Sequence, residues 1–337
     1  MNLIWRIRNK LLISLAFGAV IFIGLSAYAD FGQLTKAIKE FKWFLIPFIL
    51  SLAFTSYLLR FMKWHYYLKT LGIPLSKKNS LLIFLSGLIM SITPGKMGEV
   101  LKSFLLKQVN GTAISRSAPV VVAERLTDVI GLMVLSLGGV AAYKFGEKVL
   151  FIVGILLAGF IIVISTKPLC MSLIGLFGKI PLLSRLVQKI HTAYESIFQL
   201  LNIKTLIWST ILSIAAWSVE CSGFYLTLRG FHVYFHPTRT AFIYAFSIIA
   251  GAVTMLPGGI GITEGSMTGL LMGAAMPKFQ AVATTLLFRV CTLWFAVLVG
   301  AVVLLIFQKK FGDAPLPVEL NSPVSLGRAH RKDRPHE

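Results

Sequence analysis

Charge is scarce in this chain and acidic charge scarcest: 14% of its 337 residues are charged, with 13 Asp and Glu against 33 Lys and Arg. So few charges cannot cover a soluble domain of this length. With 56% hydrophobic residues and a mean hydropathy of +0.79, the composition implies a polytopic membrane protein. The net charge of +20 then belongs to loops on the cytoplasmic side, and nucleic acid is not an expected partner. Cysteine is nearly absent. Cys170, Cys221 and Cys291 are scattered with no CxxC, so neither a disulfide framework nor a zinc site is supported. No GxxxxGK[ST], HExxH, GxSxG or aspartate-rich pattern occurs, so no ATP-driven step, metal or cofactor is expected and no catalytic residue is assigned. The six histidines, at 65, 191, 232, 236, 330 and 336, fall in or near expected loops.

Apolar length and loop charge set the expected architecture. Full spans of about 20 apolar residues fall near 11–29, 43–61, 118–142, 149–166, 206–228 and 281–307. The first follows Arg6, Arg8 and Lys10 like a signal peptide, but its length and the spans that follow favour a retained span. Runs 80–93 and 240–256 are shorter and end at Pro-Gly breaks, and pieces 99–108 and 264–276 follow them. The expected fold is an all-α polytopic membrane protein of six spans plus two re-entrant helical hairpins, with about eight spans as the alternative. With the N-terminus inside, the inner loops 1–10, 60–79, 102–116 and 167–204 hold 16 Lys and Arg, against 8 in the outer loops. This bias puts both termini in the cytoplasm of a cell membrane. Segments 43–142 and 206–307 then run in opposite directions, an inverted-topology repeat within a transmembrane domain 1–307. The cytoplasmic linker 167–204 is expected to hold an interfacial amphipathic helix, and 308–337 a polar cytoplasmic tail.

The breaks carry the chemistry. Pro94-Gly95-Lys96-Met97-Gly98-Glu99 and Pro257-Gly258-Gly259-Ile260-Gly261-Ile262-Thr263-Glu264 are near matches. Arg125 lies 31 residues after Pro94, and Arg289 lies 32 after Pro257. Proline lacks a backbone donor and glycine permits unusual dihedrals, so each break ends one half-helix and starts another. The free N–H groups of a new half-helix attract anions, with Lys96 adding to this on the first hairpin. A tight turn between spans is the plainer alternative.

Ionised carboxylates at such depth need partners. Glu99 is expected to pair with Arg125 and Glu264 with Arg289, either as locks of the hairpins or as part of a lipid-phosphate site. Glu124, Arg125 and Asp128 form a compact cluster on one helix, Glu124 and Asp128 at i,i+4 and Arg125 and Asp128 at i,i+3, and make a salt-bridge network or a solvated helix end. Glu220 has no evident counterpart and suits a local hydrogen bond as well as a function. Trp43, Trp64, Trp208 and Trp217 suit anchoring or packing better than a ligand cage.

Together, P-G-K-M-G-E (94–99), E-R-L-T-D (124–128), L-P-G-G-I-G-I-T-E (256–264) and Arg289 resemble the flippase-like family of the lysylphosphatidylglycerol synthase transmembrane region, over about residues 5–307. The resemblance implies movement of an aminoacylated or glycosylated lipid between leaflets, with anionic or polyprenyl-phosphate-linked lipids as partners. The synthases carry a large soluble domain after the membrane region. Here 30 residues follow position 307, so synthesis of lysyl-lipid is not expected. The expected function is a lipid translocator that is not an enzyme. A membrane-embedded enzyme acting on lipid phosphate would need a nucleophile from Thr93, Ser103, Thr263 or Ser266. A non-transporting scaffold for a lipid-modifying enzyme and a homo-oligomer are further possibilities.

Overall fold

The computed structural model describes residues 3–93, 99–139, 146–167 and 187–312, and every regular element among them is helical. Pro94, Gly95, Lys96, Gly98, Cys170, residues 168–186 and the tail beyond Gly312 lie outside the described residues.

Helix α1 (Leu3–Ala29) ends at Asp30, whose carboxylate accepts from Gly32 N at 2.9 Å and Gln33 N at 3.3 Å and so caps α2 (Phe31–Glu40). The bend between them is 97°. Helix α2 is amphipathic, with Leu34 and Ala37 buried and Lys36, Lys39 and Glu40 exposed.

A short 3₁₀ turn at Trp43–Leu45 leads into α3 (Ile46–Thr70), which has Pro47 in its first turn. The expected span 43–61 is too short. No glycine or proline interrupts the chain between Pro47 and Gly72, so the helix runs through Arg60 and Lys63. Those residues, counted above as loop charges, are helical and turned inward.

The first segment continues with α4 (Lys77–Gly87), a 3₁₀ turn at Leu88–Ile92, α5 (Leu101–Asn110) and α6 (Ile114–Leu137). Helices α7 (Gly146–Ser165) and α8 (Val187–Leu200) follow. The second segment comprises α9 (Ile203–Gly230), α10 (Pro237–Val253), a 3₁₀ turn at Pro257–Gly259, α11 (Ile262–Gly273) and α12 (Lys278–Arg289). A π-helical turn at Val290–Trp294 joins α12 to α13 (Phe295–Phe311).

Three continuous helical stretches among the described residues are long and apolar enough to cross a membrane: Trp43–Thr70, Ile203–Gly230 and Lys278–Phe311. The pair α1–α2, bent by 97°, makes a fourth if the two helices are taken together as one span. Helix α6 has the length, but Glu124, Arg125 and Asp128 within five positions lower its apolarity. At 1.5 Å per residue the 25 residues of α3 measure about 38 Å, more than the hydrocarbon core of about 30 Å.

The segments 46–137 and 203–311 share the order long helix, short helix, 3₁₀ break, short helix, long helix. Both α3 and α9 end in the same turn. Ile73 N donates to Leu68 O and Val233 N to Leu228 O, each at 2.9 Å, with Gly72 (φ 64°) and His232 (φ 61°) in the left-handed region. The packing is reciprocal. The closing helix α13 lies on α4 and the 88–92 turn, α6 lies on α10, and α3 lies along α9. Glycine permits both crossings. A Cβ at Gly300 would sit 2.1 Å from Ile89 N, and one at Gly139 would sit 2.8 Å from Thr238 O.

The surface is inverted relative to a soluble protein. Ile13, Val20, Phe48, Phe151, Leu156 and Leu298 are exposed, while Lys63, Lys102, Glu124, Asp128 and Glu264 are buried. The amphipathic helix expected in the linker is α8, and it buries Tyr194 and Ile197 in a cluster with Leu126 of α6.

Alanine in place of a helical glycine ordinarily stabilises by up to about 1 kcal/mol. Gly300→Ala is expected to do the opposite, losing roughly 1–3 kcal/mol because backbone must shift. Gly24→Ala, with open space around its Cβ, should not lower stability. Thermal unfolding of the two variants in detergent checks this.

Candidate functional site

Helix α6 presents Glu124, Arg125 and Asp128 to three different neighbours. Lys63 reaches across from α3, its ammonium 2.6 Å from Asp128 Oδ1 and 2.7 Å from Ser213 Oγ of α9, with Thr127 Oγ1 and Glu124 O at 3.3 Å. The ammonium has four acceptors and is saturated. Lys102 of α5 lies 2.5 Å from Glu124 Oε2 and 3.8 Å from Glu99 Oε2. Its Nζ stands 4.6 Å from the centre of the Trp64 ring. Its stem passes over Gly87, where a Cβ would approach Lys102 Cγ to 2.5 Å. Arg125 Nη2 is 3.2 Å from Glu99 Oε2 and 3.3 Å from Asp128 Oδ2. The side chain of Arg125 is 30% exposed, far more than that of Lys63 at 1%.

A second group lies at the seam of α3 and α9. Arg60 Nη2 is 2.6 Å from Glu220 Oε1, and its guanidinium lies over the Trp217 ring at 4.0 Å. Ser56 Oγ donates to Glu220 Oε1 at 2.8 Å, and Tyr244 OH donates to Glu220 Oε2. Among the described residues, this is the ion pair that joins the first segment to the second.

The third group belongs to the second break. Gly258, Gly259 and Gly261 have φ of 60°, 68° and 92°, which L side chains rarely adopt. Glu264 Oε1 lies 2.5 Å from Arg289 Nε, while Glu264 Oε2 accepts from Gly261 N at 2.6 Å. Arg289 Nη2 donates to Gly258 O at 2.8 Å. The α11 N-terminus therefore takes an anion, but the anion is the protein's own carboxylate. With its side chain 6% exposed, Arg289 staples the break to the following helix.

The pairs Glu99–Arg125 and Glu264–Arg289 thus form, and Glu124 and Asp128 are buried network members rather than a solvated helix end. Arg60, Lys63 and Lys102 join them, although a reading of the sequence assigns all three to loops. The signals were present: an uninterrupted helix to Gly72, and an acid and base 160 positions apart at 60 and 220, the same offset as the turns at 72 and 232. Trp64 is buried packing, whereas Trp217 lines a cavity.

That cavity has a volume of ≈ 300 Å³ and takes walls from both segments. Its lining combines the polar Arg60, Arg125, Asp128, Glu220, Tyr244 and Arg289 with the apolar Leu132, Ile248, Leu256 and Leu293. The exposed Met255 and Leu256 also border it. A smaller cavity of ≈ 40 Å³, lined by Lys63, Glu99, Lys102 and Glu124, shares Arg60, Arg125 and Asp128 with the larger one. Among the described residues no cluster of His, Cys, Asp and Glu could hold a metal ion.

An apolar outer surface around a buried ionic cavity defines a polytopic membrane protein. The chain belongs to the family described as "Lysylphosphatidylglycerol synthase TM region", whose pattern matches residues 11–300. It is similar to a UPF0104 membrane protein of Methanothermobacter thermautotrophicus, at 23% identity over 310 residues, covering 85% of this chain and 90% of the relative. UPF0104 membrane proteins of Methanocaldococcus jannaschii and Pyrococcus horikoshii are each 24% identical. These alignments cover 67% of this chain and 97% of the relative, and 74% and 83%, respectively.

Removing one partner of a buried ion pair costs about 3–5 kcal/mol. Arg289→Met is expected to lower stability by that order, and Glu264→Gln in the same chain to recover part of the loss, since glutamine still accepts from Gly261 N. Thermal unfolding of the single and double variants in detergent measures the coupling.

Proposed function

We propose that the protein is a lipid translocator that moves a phosphate-containing polar lipid or lipid-linked headgroup between leaflets of the cell membrane, with both termini cytoplasmic. The carrying observation is the ≈ 300 Å³ cavity, mainly apolar with a minority of ionic residues, walled by both segments and bordered by exposed apolar side chains. A headgroup suits the ionic residues and its chains the apolar ones. Arg125, the half-buried arginine of the α6 network, is the residue assigned to the phosphate. Lys63, Lys102 and Arg289 hold the frame.

In this reading α1, α3, α6, α7, α9 and α12–α13 cross the membrane. The pairs α4–α5 and α10–α11 are re-entrant hairpins of an inverted repeat. The shared element order, the matching turns at 72 and 232 and the reciprocal glycines at 139 and 300 support the repeat. With Arg60, Lys63 and Lys102 removed from the inner loops, the count falls from 16 to 13 against 8, and this bias supports the orientation. Without a nucleotide motif, a lipid gradient, the membrane potential or protons would drive movement, and no bond-making step is assigned to the chain.

Reconstituted protein is expected to accelerate leaflet exchange of a fluorescent anionic lipid, with Arg125→Ala slowing it about tenfold or more while leaving the protein folded. The assay includes aminoacylated and polyprenyl-phosphate lipids. No acceleration with any of these, or full activity in Arg125→Ala, would sink the proposal. Phosphate release from a lipid pyrophosphate would point instead to an enzyme.

A further inference from the structure

Residues that line the cavity carry hydrogen-bond donors that the protein does not use. Three of the residues lining it carry a buried N–H with no protein acceptor: Arg60 Nε, Arg125 Nε and Trp217 Nε1. Trp217 as a whole is only 3% exposed. A buried donor left without an acceptor is costly, so three on residues around one cavity call for an acceptor-rich ligand. A phosphate group offers several oxygens and a negative charge.

Two carboxylates line the cavity beside these donors: Asp128, whose Oδ2 lies 3.3 Å from Arg125 Nη2 and has no hydrogen-bond partner, and Glu220 on Arg60. Glu220 is the one that can yield. It holds Arg60 through Nη2 alone, and it keeps two other donors, Ser56 Oγ and Tyr244 OH. Glu220 can therefore release Arg60 and stay hydrogen-bonded. Trp217 lies against the Arg60 guanidinium and keeps its plane while the partner changes.

We propose that Arg60, Arg125 and Trp217 form a phosphate-binding subsite at the seam of α3 and α9, in which a phosphate group displaces Glu220 from Arg60. The inference rests on the cavity as a lipid-headgroup site and centres the phosphate on Arg60. Arg289 and the second break also line the cavity, but Arg289 Nε and Nη2 are bound to Glu264 and Gly258.

Calorimetric titration of the full chain in detergent tests the subsite, with dihexanoyl phosphatidic acid and inorganic phosphate as probes. Glu220→Gln removes the competing charge and is expected to tighten binding about fivefold or more. Trp217→Phe keeps a ring under Arg60 but deletes the N–H, and should weaken binding about threefold to tenfold. Arg60→Lys should weaken it about tenfold. Tightening in Glu220→Gln is an outcome that misfolding does not produce. Binding of the lipid alone assigns the site to a headgroup, and equal binding of both probes assigns it to the phosphate group itself; either result upholds the subsite.

Binding of neither probe, or wild-type affinity in folded Glu220→Gln and Trp217→Phe, would overturn it. Binding as expected without leaflet exchange in liposomes would remove the translocation reading and leave the subsite. Exchange that ignores both substitutions would do the reverse.

Discussion

Ionised side chains withdrawn from water are the constraint that the rest of this structure satisfies. Desolvating an ion in a low-dielectric interior costs several kcal/mol, and only close pairing with further hydrogen bonds offsets it. Glu99, Glu124, Asp128, Glu220 and Glu264 each meet a cation, drawn from Arg60, Lys63, Lys102, Arg125 and Arg289. These pairs fix how the helices are rotated. For Asp128 to face Lys63 and Ser213, α6 must turn one side to both α3 and α9. Its apolar positions Val122, Val134 and Leu137 then face outward. Packing follows from the pairing: Gly87 makes room for the Lys102 stem, and Gly139 and Gly300 bring the closing stretches of the two segments onto each other's short helices.

The two segments use related elements unequally, and the inequality bears on function. In the second, Glu264 lies three residues after Gly261, within reach of that glycine's N–H and Arg289 together. In the first, Glu99 follows Gly98 directly and is shared between Lys102 and Arg125. Arg289 is therefore closed off by two acceptors, whereas Arg125 retains exposure and an open Nε. A symmetric assignment of both arginines to a lipid phosphate suits the sequence. The geometry favours the first segment and the α3–α9 seam for binding, and gives the second break a structural task.

Much of the fold was legible because its signals are local. Apolar length placed the helices, and Pro-Gly marked the second break where the left-handed glycines occur. The spacing of Glu124, Arg125 and Asp128 put them on adjoining faces of a helix. The misplacement of Arg60, Lys63 and Lys102 has a physical cause. Positive charge next to an apolar run usually marks a cytoplasmic loop, and a basic residue saturated by distant partners has the same one-letter code. Nothing local to Lys63 announces Asp128 and Ser213, which lie 65 and 150 residues away. The extra helix α2 was hidden likewise in a short polar stretch between the expected spans 11–29 and 43–61, where Asp30 caps it.

Composition and pattern by themselves determined that this is a helical membrane protein, where its chain breaks, and which acids and arginines accompany the breaks. Those properties depend on apolar length, on the dihedral limits of proline and glycine, and on spacing along one helix. Tertiary structure alone decided which charges are neutralised, which arginine keeps open donors, and that Trp217 and Glu220 share a cavity with Arg60. The reason is that a buried charge takes its character from its nearest opposite charge, and here that neighbour comes from a helix remote in sequence.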